Sequence, residues 1–260
     1  MDVWKPATIE PEECFHAQVG PLGLWFKRTQ DELHIAVDRL SEEAKSETVP
    51  IARLAGPEPE GLDWGRWIIG SSQTVQLAPI MPDRPVVVRP EVPVKIPTDK
   101  EALFFVSIPV WIRVTAGSEQ MALCEEPSVI LSNIWFGDCL SGELCYSLRS
   151  RARRQITDSV PQPHRAVCPV QIRNAAPTQL DVERFCVHVE HLRIYSGENW
   201  LWTNRIDITF KGEEMVGQIA YAKSAPAFES VGTMLSEART PLKETLLRKS
   251  LGGFKRLSGM

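Results

Sequence analysis

The stretch from Pro85 to Val114, PVVVRPEVPVKIPTDKEALFFVSIPVWIRV, constrains the fold more than any other part of this sequence. Within it, apolar residues occupy every even-numbered position from Phe104 to Val114, while the odd-numbered positions are mixed. A period of two over this length predicts a β-strand with one face in a core. Because Pro109 cannot donate a ladder hydrogen bond, we expect an edge or a bulge at that residue.

Other apolar runs, separated by many of the chain's 20 prolines, also predict strands. They are CFHAQV, LWFKR and LHIAV within residues 14–40, and residues 86–88, 92–96, 144–151, 167–174, 185–195, 202–210 and 215–222. The last three runs are separated by turn residues and predict an antiparallel meander. The fold we expect is mainly β, an antiparallel β-sandwich or barrel-like pair of sheets with a short helical C-terminus.

Changes in composition predict three parts of the chain. Residues 1–60 would form an N-terminal hairpin and acidic linker packed on the main domain, and residues 61–222 would form the β-sandwich core domain. Residues 223–260 would form a helical, basic segment. Its main helix would have Thr240 as its N-cap and Pro241 as its first residue. A weaker helix would precede it, from Phe228 to Arg239.

Charge and cysteine content bear on partners and location. The net charge is −4 and the pI is about 5.8, which gives no strong case for nucleic acid. The six cysteines have neither zinc-motif nor disulfide-framework spacing, and Cys168 and Cys186 are candidates for the core. With no visible secretory signal and no run of 18 apolar residues, we expect a cytoplasmic protein with free thiols.

The most unusual local feature is the basic run Arg149, Arg151, Arg153 and Arg154. On a strand, the three odd-numbered arginines would share one face. One interpretation is an ordinary strand surface, with acids such as Glu183 or Glu190 as counter-charges. The other is a site for an anion or an acidic partner, which guanidinium groups suit.

His188, Glu190 and His191 invite a metal-site interpretation, in which His188 and Glu190 share a strand face. His191 would point to the opposite face, and zinc needs three or four convergent ligands. The sequence therefore favours a half-exposed sheet surface here, with no metal and no cofactor.

No catalytic motif is present: the sequence contains no GxSxG, P-loop, GxGxxG after a strand or HExxH pattern. We therefore expect no catalytic residues, although an active site assembled across strands would leave no local motif. Whether the chain is an enzyme stays open, and the absence of these motifs favours a protein that is not one.

Three segments carry a family resemblance: residues 85–114, WFGDCLSGELCYSLRSR at 135–151, and CPVQIRN at 168–174. They resemble an uncharacterised prokaryotic family, the domain of unknown function numbered four hundred and thirty-two, best known from archaea. The resemblance covers about residues 60–222 and implies no reaction, cofactor or site residue.

The sequence thus favours a non-enzymatic cytoplasmic binding module that presents the arginine run to a protein or an anionic partner. An alternative is a small-molecule sensor or enzyme whose pocket lies inside the sandwich and is lined by tryptophans. The candidates are Trp111, Trp135, Trp200 and Trp202. A third hypothesis is attachment to a membrane surface through the basic residues 241–260.

Overall fold

The computed structural model describes residues 2–41, 48–56, 58–117, 119–156, 161–212 and 217–242. These residues form 22 β-strands and two short 3-10 helices, Asp2–Trp4 and Val189–His191. The predicted fold class, mainly β with several antiparallel sheets, is confirmed. The strands fall into two compact units, each assembled from separated segments of the chain.

The first unit comprises residues 1–80, 109–130 and 162–164. Its strands are β1 (Ala7–Thr8), β2 (Cys14–Val19), β3 (Leu22–Arg28), β4 (Glu32–Arg39), β5 (Thr48–Arg53), β6 (Trp64–Ile68), β7 (Thr74–Ile80), β11 (Trp111–Ala116) and β12 (Met121–Pro127). They form two antiparallel sheets, with strand orders β5-β2-β3-β4-β6 and β1-β7-β11-β12.

The predicted N-terminal hairpin is confirmed as β2, β3 and β4. Gly20 turns the chain between β2 and β3 with φ of +60°, a conformation that side chains rarely adopt. A Cβ at this position would also lie 2.2 Å from the His164 ring. Both constraints require glycine at this turn.

The second unit comprises residues 81–108, 131–161 and 165–260. Its strands are β8 (Val86–Val88), β9 (Val94–Ile96), β10 (Glu101–Pro109, of which Pro109 belongs to the first unit), β13 (Ser132–Phe136), β14 (Glu143–Ser147), β15 (Arg165–Asn174), β16 (Leu180–Val182), β17 (Phe185–Val187), β18 (Ile194–Ser196), β19 (Leu201–Thr203), β20 (Ile206–Phe210), β21 (Gln218–Tyr221) and β22 (Met234–Ser236). A seven-stranded sheet is centred on β15, and a four-stranded sheet has the order β13-β14-β8-β17.

The alternating run at 101–114 is buried as predicted, but it forms two strands and not one continuous strand. All six even-numbered side chains from Phe104 to Val114 are fully buried. The run is two strands, however, because β10 ends at Pro109 and pairs with β15, whereas β11 begins at Trp111 and pairs with β7 and β12. Pro109 has no N–H for a ladder bond, and this missing donor lies where the strand changes sheets.

Three other predicted strands are wrong in their extent. The run 144–151 is a strand only to Ser147, and the chain bends through Arg149 and Ser150. The run 185–195 is interrupted by the 3-10 turn Val189–His191, and 202–210 is divided at Asn204. The predicted meander is also not purely antiparallel, because β19 and β20 both pair in parallel with β15.

The predicted weak helix from Phe228 to Arg239 is wrong, because this segment contains β22, which pairs with β18. Backbone pairing to an existing sheet edge here outweighs a weak helical preference. The predicted helix after Thr240 falls almost wholly on residues 243–260, outside the described residues. The division into residues 1–60, 61–222 and 223–260 stays a prediction.

Asn174 ends β15 as a buried polar anchor of the second unit. Its Nδ2 donates to the carbonyls of Ile96 and Thr178 at 2.9 and 2.8 Å, and its Oδ1 accepts from the Ala176 N–H at 3.0 Å. Replacing it would leave these backbone groups without partners in the interior.

We expect Asn174→Ala to lower the free energy of unfolding by about 2–4 kcal/mol, because buried unpaired groups are costly. Asn199→Ala, at an exposed asparagine, is the matched control. Urea denaturation followed by tryptophan fluorescence measures both variants. Equal midpoints for Asn174→Ala and the control would contradict this role.

Candidate functional site

The four-stranded sheet β13-β14-β8-β17 carries most of the chemically notable side chains of the second unit. Its central strand β8 pairs in parallel with β14 and antiparallel with β17. Val87 is opposite Ser147 on one side and opposite Cys186 on the other, so these three side chains share a face. The same face carries Cys145 and Glu143, two and four residues before Ser147.

An arginine-lined pocket of about 350 Å³ lies beside this sheet. Among the residues that the structure describes, four arginines and no acid line this pocket. The lining residues are Val87, Arg89, Ile134, Ser147, Leu148, Arg149, Arg151 and Arg184. We call it the arginine pocket. Arg89 follows β8 directly, and Arg184 precedes β17 directly. The antiparallel register of β8 and β17 therefore brings Arg89 and Arg184 together.

The predicted arginine run is divided by the fold. Arg149 and Arg151 line the arginine pocket, but they reach it from a bend and not from the strand that the sequence predicted. Arg153 and Arg154 line a different cleft, where Arg153 lies 3.5 Å from Glu91. The Arg154 guanidinium there stacks over the Phe104 ring at 5.2 Å.

The counter-charges of the arginine pocket differ from those expected. Glu190 pairs with histidines and not with arginines. For Arg89, Arg151 and Arg184, the described part of the chain places no carboxylate within ion-pair distance, and Arg184 stacks over Phe136 at 5.5 Å. The charges of these three arginines, gathered without an acid among the lining residues, repel one another. Around these three side chains, the arrangement suits a bound anion better than a salt-bridged surface.

A second group of side chains lies on the same sheet and consists of Glu143, Cys145, Cys186, His188 and Glu190; we call it the cysteine–histidine cluster. The Sγ atoms of Cys145 and Cys186 are 3.7 Å apart. One ligand atom each from Glu143, Cys145 and Cys186 lies within 4.8 Å of the other two. The sequence prediction of no metal site did not foresee this grouping.

His188 is buried, with 1% of its side chain exposed. Its Nδ1 lies 3.3 Å from Glu190 Oε1, and its Nε2 lies 3.2 Å from Glu143 Oε1 without hydrogen-bond geometry. Burial by itself lowers the pKa of His188, but the carboxylates of Glu143 and Glu190 outweigh burial and raise the pKa to about 9. His188 and Glu190 therefore approach each other, but His188 is buried and Glu190 lies in a 3-10 turn, in place of the half-exposed sheet surface that the sequence favoured.

His191 also approaches this carboxylate, with Nε2 at 3.6 Å from Glu190 Oε1. The sequence predicted that His191 would point away, because it assumed a continuous strand. The 3-10 turn Val189–His191 changes that direction.

The two cysteine thiols influence each other directly. A hydrogen bond with Cys145, assisted by burial, raises the pKa of Cys186, and the same bond lowers the pKa of Cys145. As predicted, Cys168 and Cys186 are both buried. Burial raises the pKa of Cys168 to about 12, so this thiol acts as a core side chain.

The four tryptophans of the alternative hypothesis do not share a described pocket. Trp111 belongs to the first unit, whereas the other three belong to the second. Trp202 is buried and donates to Glu229 at 2.6 Å, and Trp135 is half exposed. A pocket of about 470 Å³ near His191 is lined by Tyr221 and by the Arg193–Glu237 ion pair. The tryptophan-lined pocket stays a prediction.

Comparison with known proteins places the chain in a family. The family model described as a protein of unknown function, DUF432, matches residues 3–255. The chain belongs to this family. The match extends well beyond residues 60–222, so it includes both the N-terminal hairpin and most of the C-terminal segment. No curated protein and no solved structure matches the chain.

The DUF432 chain has no helix, among the residues that the structure describes, that is long and apolar enough to cross a membrane. The hypothesis of surface attachment depends on residues 241–260. All but Pro241 and Leu242 of that segment lie outside the described residues.

The sequence contained a signal for the cysteine–histidine cluster that motif searches do not use. Metal-binding residue types alternate in Glu143-Leu-Cys145 and in Cys186-Val-His188. Alternation on a strand places both members of each pair on one face. The pairing of both strands with β8, which brings the two faces together, is not visible in the sequence.

We expect Arg89→Gln and Arg151→Gln to leave the free energy of unfolding unchanged or, at low ionic strength, to raise it. Each removes repulsion among gathered guanidiniums, and added salt screens the difference. The matched control is Arg165→Gln, because Arg165 donates to Ser107 and Ser150 at 2.8–3.0 Å.

The control variant should lower the free energy of unfolding by about 2–4 kcal/mol, since it removes several charge-assisted bonds. Chemical denaturation at low and high salt measures all three variants. A comparable loss in Arg89→Gln or Arg151→Gln would mean that these arginines serve only as structural ion-pair partners.

Proposed function

We propose that this DUF432 protein is a non-enzymatic binding module whose arginine pocket holds a phosphate or carboxylate group. The group would belong to a small molecule or to a partner protein. The observation that carries the proposal is the convergence of Arg89, Arg149, Arg151 and Arg184 on one pocket of about 350 Å³. Guanidiniums bind such planar or tetrahedral anions through paired hydrogen bonds.

The shape and floor of the pocket support an anion rather than a long charged chain. Val87, Ile134 and Leu148 supply an apolar floor, while Arg89, Arg149 and Arg151 are exposed and can be reached from solvent. The chain carries a net charge of −4, so the pocket is a local basic site on an acidic protein. A compact anion fits this pattern better than a nucleic acid, which needs an extended basic surface.

The proposal includes a cytoplasmic location and another protein as the partner class. All six cysteines are free thiols, as expected of a protein in a reducing compartment. A phosphorylated or acidic side chain of a partner offers the same oxygens as a free anion. Binding by this mechanism needs no catalytic group.

The direct test is calorimetric titration with inorganic pyrophosphate and with inorganic phosphate. We expect saturable binding that weakens with added salt, because the contacts are electrostatic. In Arg149→Gln/Arg151→Gln, the affinity should fall by about tenfold or more, since each charge-assisted bond contributes about 1.5–3 kcal/mol.

The matched control is Arg153→Gln/Arg154→Gln, which removes the same charge from the same run but outside the arginine pocket. This control should keep most of the affinity. Equal losses in both variants would mean that the run acts only through net charge. Absence of saturable binding by the wild-type protein would overturn the proposal for these anions, and titration with a phosphoserine peptide then tests the protein-partner form.

A further inference from the structure

The cysteine–histidine cluster has the geometry of a metal site. Cys145 lies in β14 and Cys186 in β17, and these strands flank the central strand β8 on opposite sides. Their side chains nevertheless bring the two sulfurs to 3.7 Å from each other. The bond in a disulfide is about 2.05 Å long, so the two thiols are free.

The same spacing suits a metal ion between the two sulfurs. Two thiolates that bind tetrahedral zinc at about 2.3 Å each lie about 3.8 Å apart. The observed Sγ–Sγ distance is 3.7 Å. Glu143 Oε lies within 4.8 Å of both sulfurs and brings a carboxylate to the same point.

His188 fixes the carboxylate that faces the two sulfurs. Its side chain is 1% exposed, and its Nε2 forms an ion pair with Glu143 Oε1 at 3.2 Å. Among the described residues, the group of ligand atoms within 4.8 Å of one another consists of Glu143, Cys145 and Cys186, so His188 lies outside it. His188 is therefore placed to hold the carboxylate from outside the group, as partners of ligating carboxylates commonly do.

Glu190 completes the arrangement from behind His188. Its Oε1 lies 3.3 Å from His188 Nδ1. A carboxylate at one ring nitrogen fixes the orientation of a histidine. Glu190 thereby holds the His188 ring with its other nitrogen, Nε2, facing Glu143.

We propose that Glu143, Cys145 and Cys186 bind one zinc ion, with His188 orienting the carboxylate and Glu190 orienting the histidine. Two thiolates and one carboxylate form a donor set that suits zinc over magnesium or calcium. The three ligands come from β14 and β17, so the ion would fasten these strands together, with its fourth position open to water. The proposal does not depend on anion binding in the arginine pocket.

The test begins with the full-length wild-type protein, purified without chelators, equilibrated with excess zinc and freed of unbound metal. Elemental analysis should find one zinc ion per chain. Replacement by cobalt should produce a thiolate-to-cobalt charge-transfer band in the near ultraviolet. Absence of both signals in the wild-type protein would overturn the proposal, whether or not any variant folds.

Two variants assign the ligands. Cys145→Ser/Cys186→Ser should lose the zinc and the charge-transfer band, whereas Cys139→Ser, at an exposed cysteine, should keep both. His188→Gln keeps all three ligands and should weaken zinc affinity by about 10–100-fold, as expected for the loss of a group that orients a ligating carboxylate. Zinc retained at full stoichiometry in the double serine variant would also overturn the proposal.

Pyrophosphate titration of the zinc-free protein separates this inference from the proposed function. Zinc binding without anion binding would contradict only the arginine pocket. Anion binding by a protein that takes up no zinc would contradict only the metal site.

Discussion

The pairing of β8 with two neighbours at once is the constraint on which the candidate sites depend. Val86, Val87 and Val88 are all buried, and they hold β14 in parallel on one side and β17 antiparallel on the other. So short a strand cannot shift its register without exposing this valine core. The position of β8 therefore fixes which residues of β14 and β17 face each other across it.

That register gives one sheet face two chemically different neighbourhoods. Arginines gather where Arg89 leaves β8 and Arg184 enters β17, while Glu143, His188 and both cysteines belong to the cysteine–histidine cluster. Val87 lines the arginine pocket and also packs with Cys145 and Cys186. Ile134 likewise contributes to both. Because the arginine pocket and the cysteine–histidine cluster share these two apolar side chains, a displacement of the cysteines would also move the wall of the arginine pocket.

The sequence predicted local features well where side-chain alternation determines them. The even-numbered face from Phe104 to Val114 is buried throughout, and Pro109 interrupts pairing as its missing N–H requires. The bend after Ser147 was not predicted, because arginines in alternation resemble an exposed strand face. The sequence also did not predict which distant residues meet. No local pattern indicates that Arg89 and Arg184 lie near Arg149, or that Cys145 lies near Cys186. These contacts depend on the register of β8, which only the assembled sheet determines.

The two strands flanking β8 bring two free thiols together for a metal ion and gather guanidiniums for an anion. Crystals grown with zinc and pyrophosphate, measured on both sides of the zinc absorption edge, test this most directly. We expect an anomalous peak between the sulfurs of Cys145 and Cys186, with pyrophosphate density among Arg89, Arg149, Arg151 and Arg184. A disulfide between the two cysteines, or no anomalous peak beside them at full zinc saturation, would contradict it.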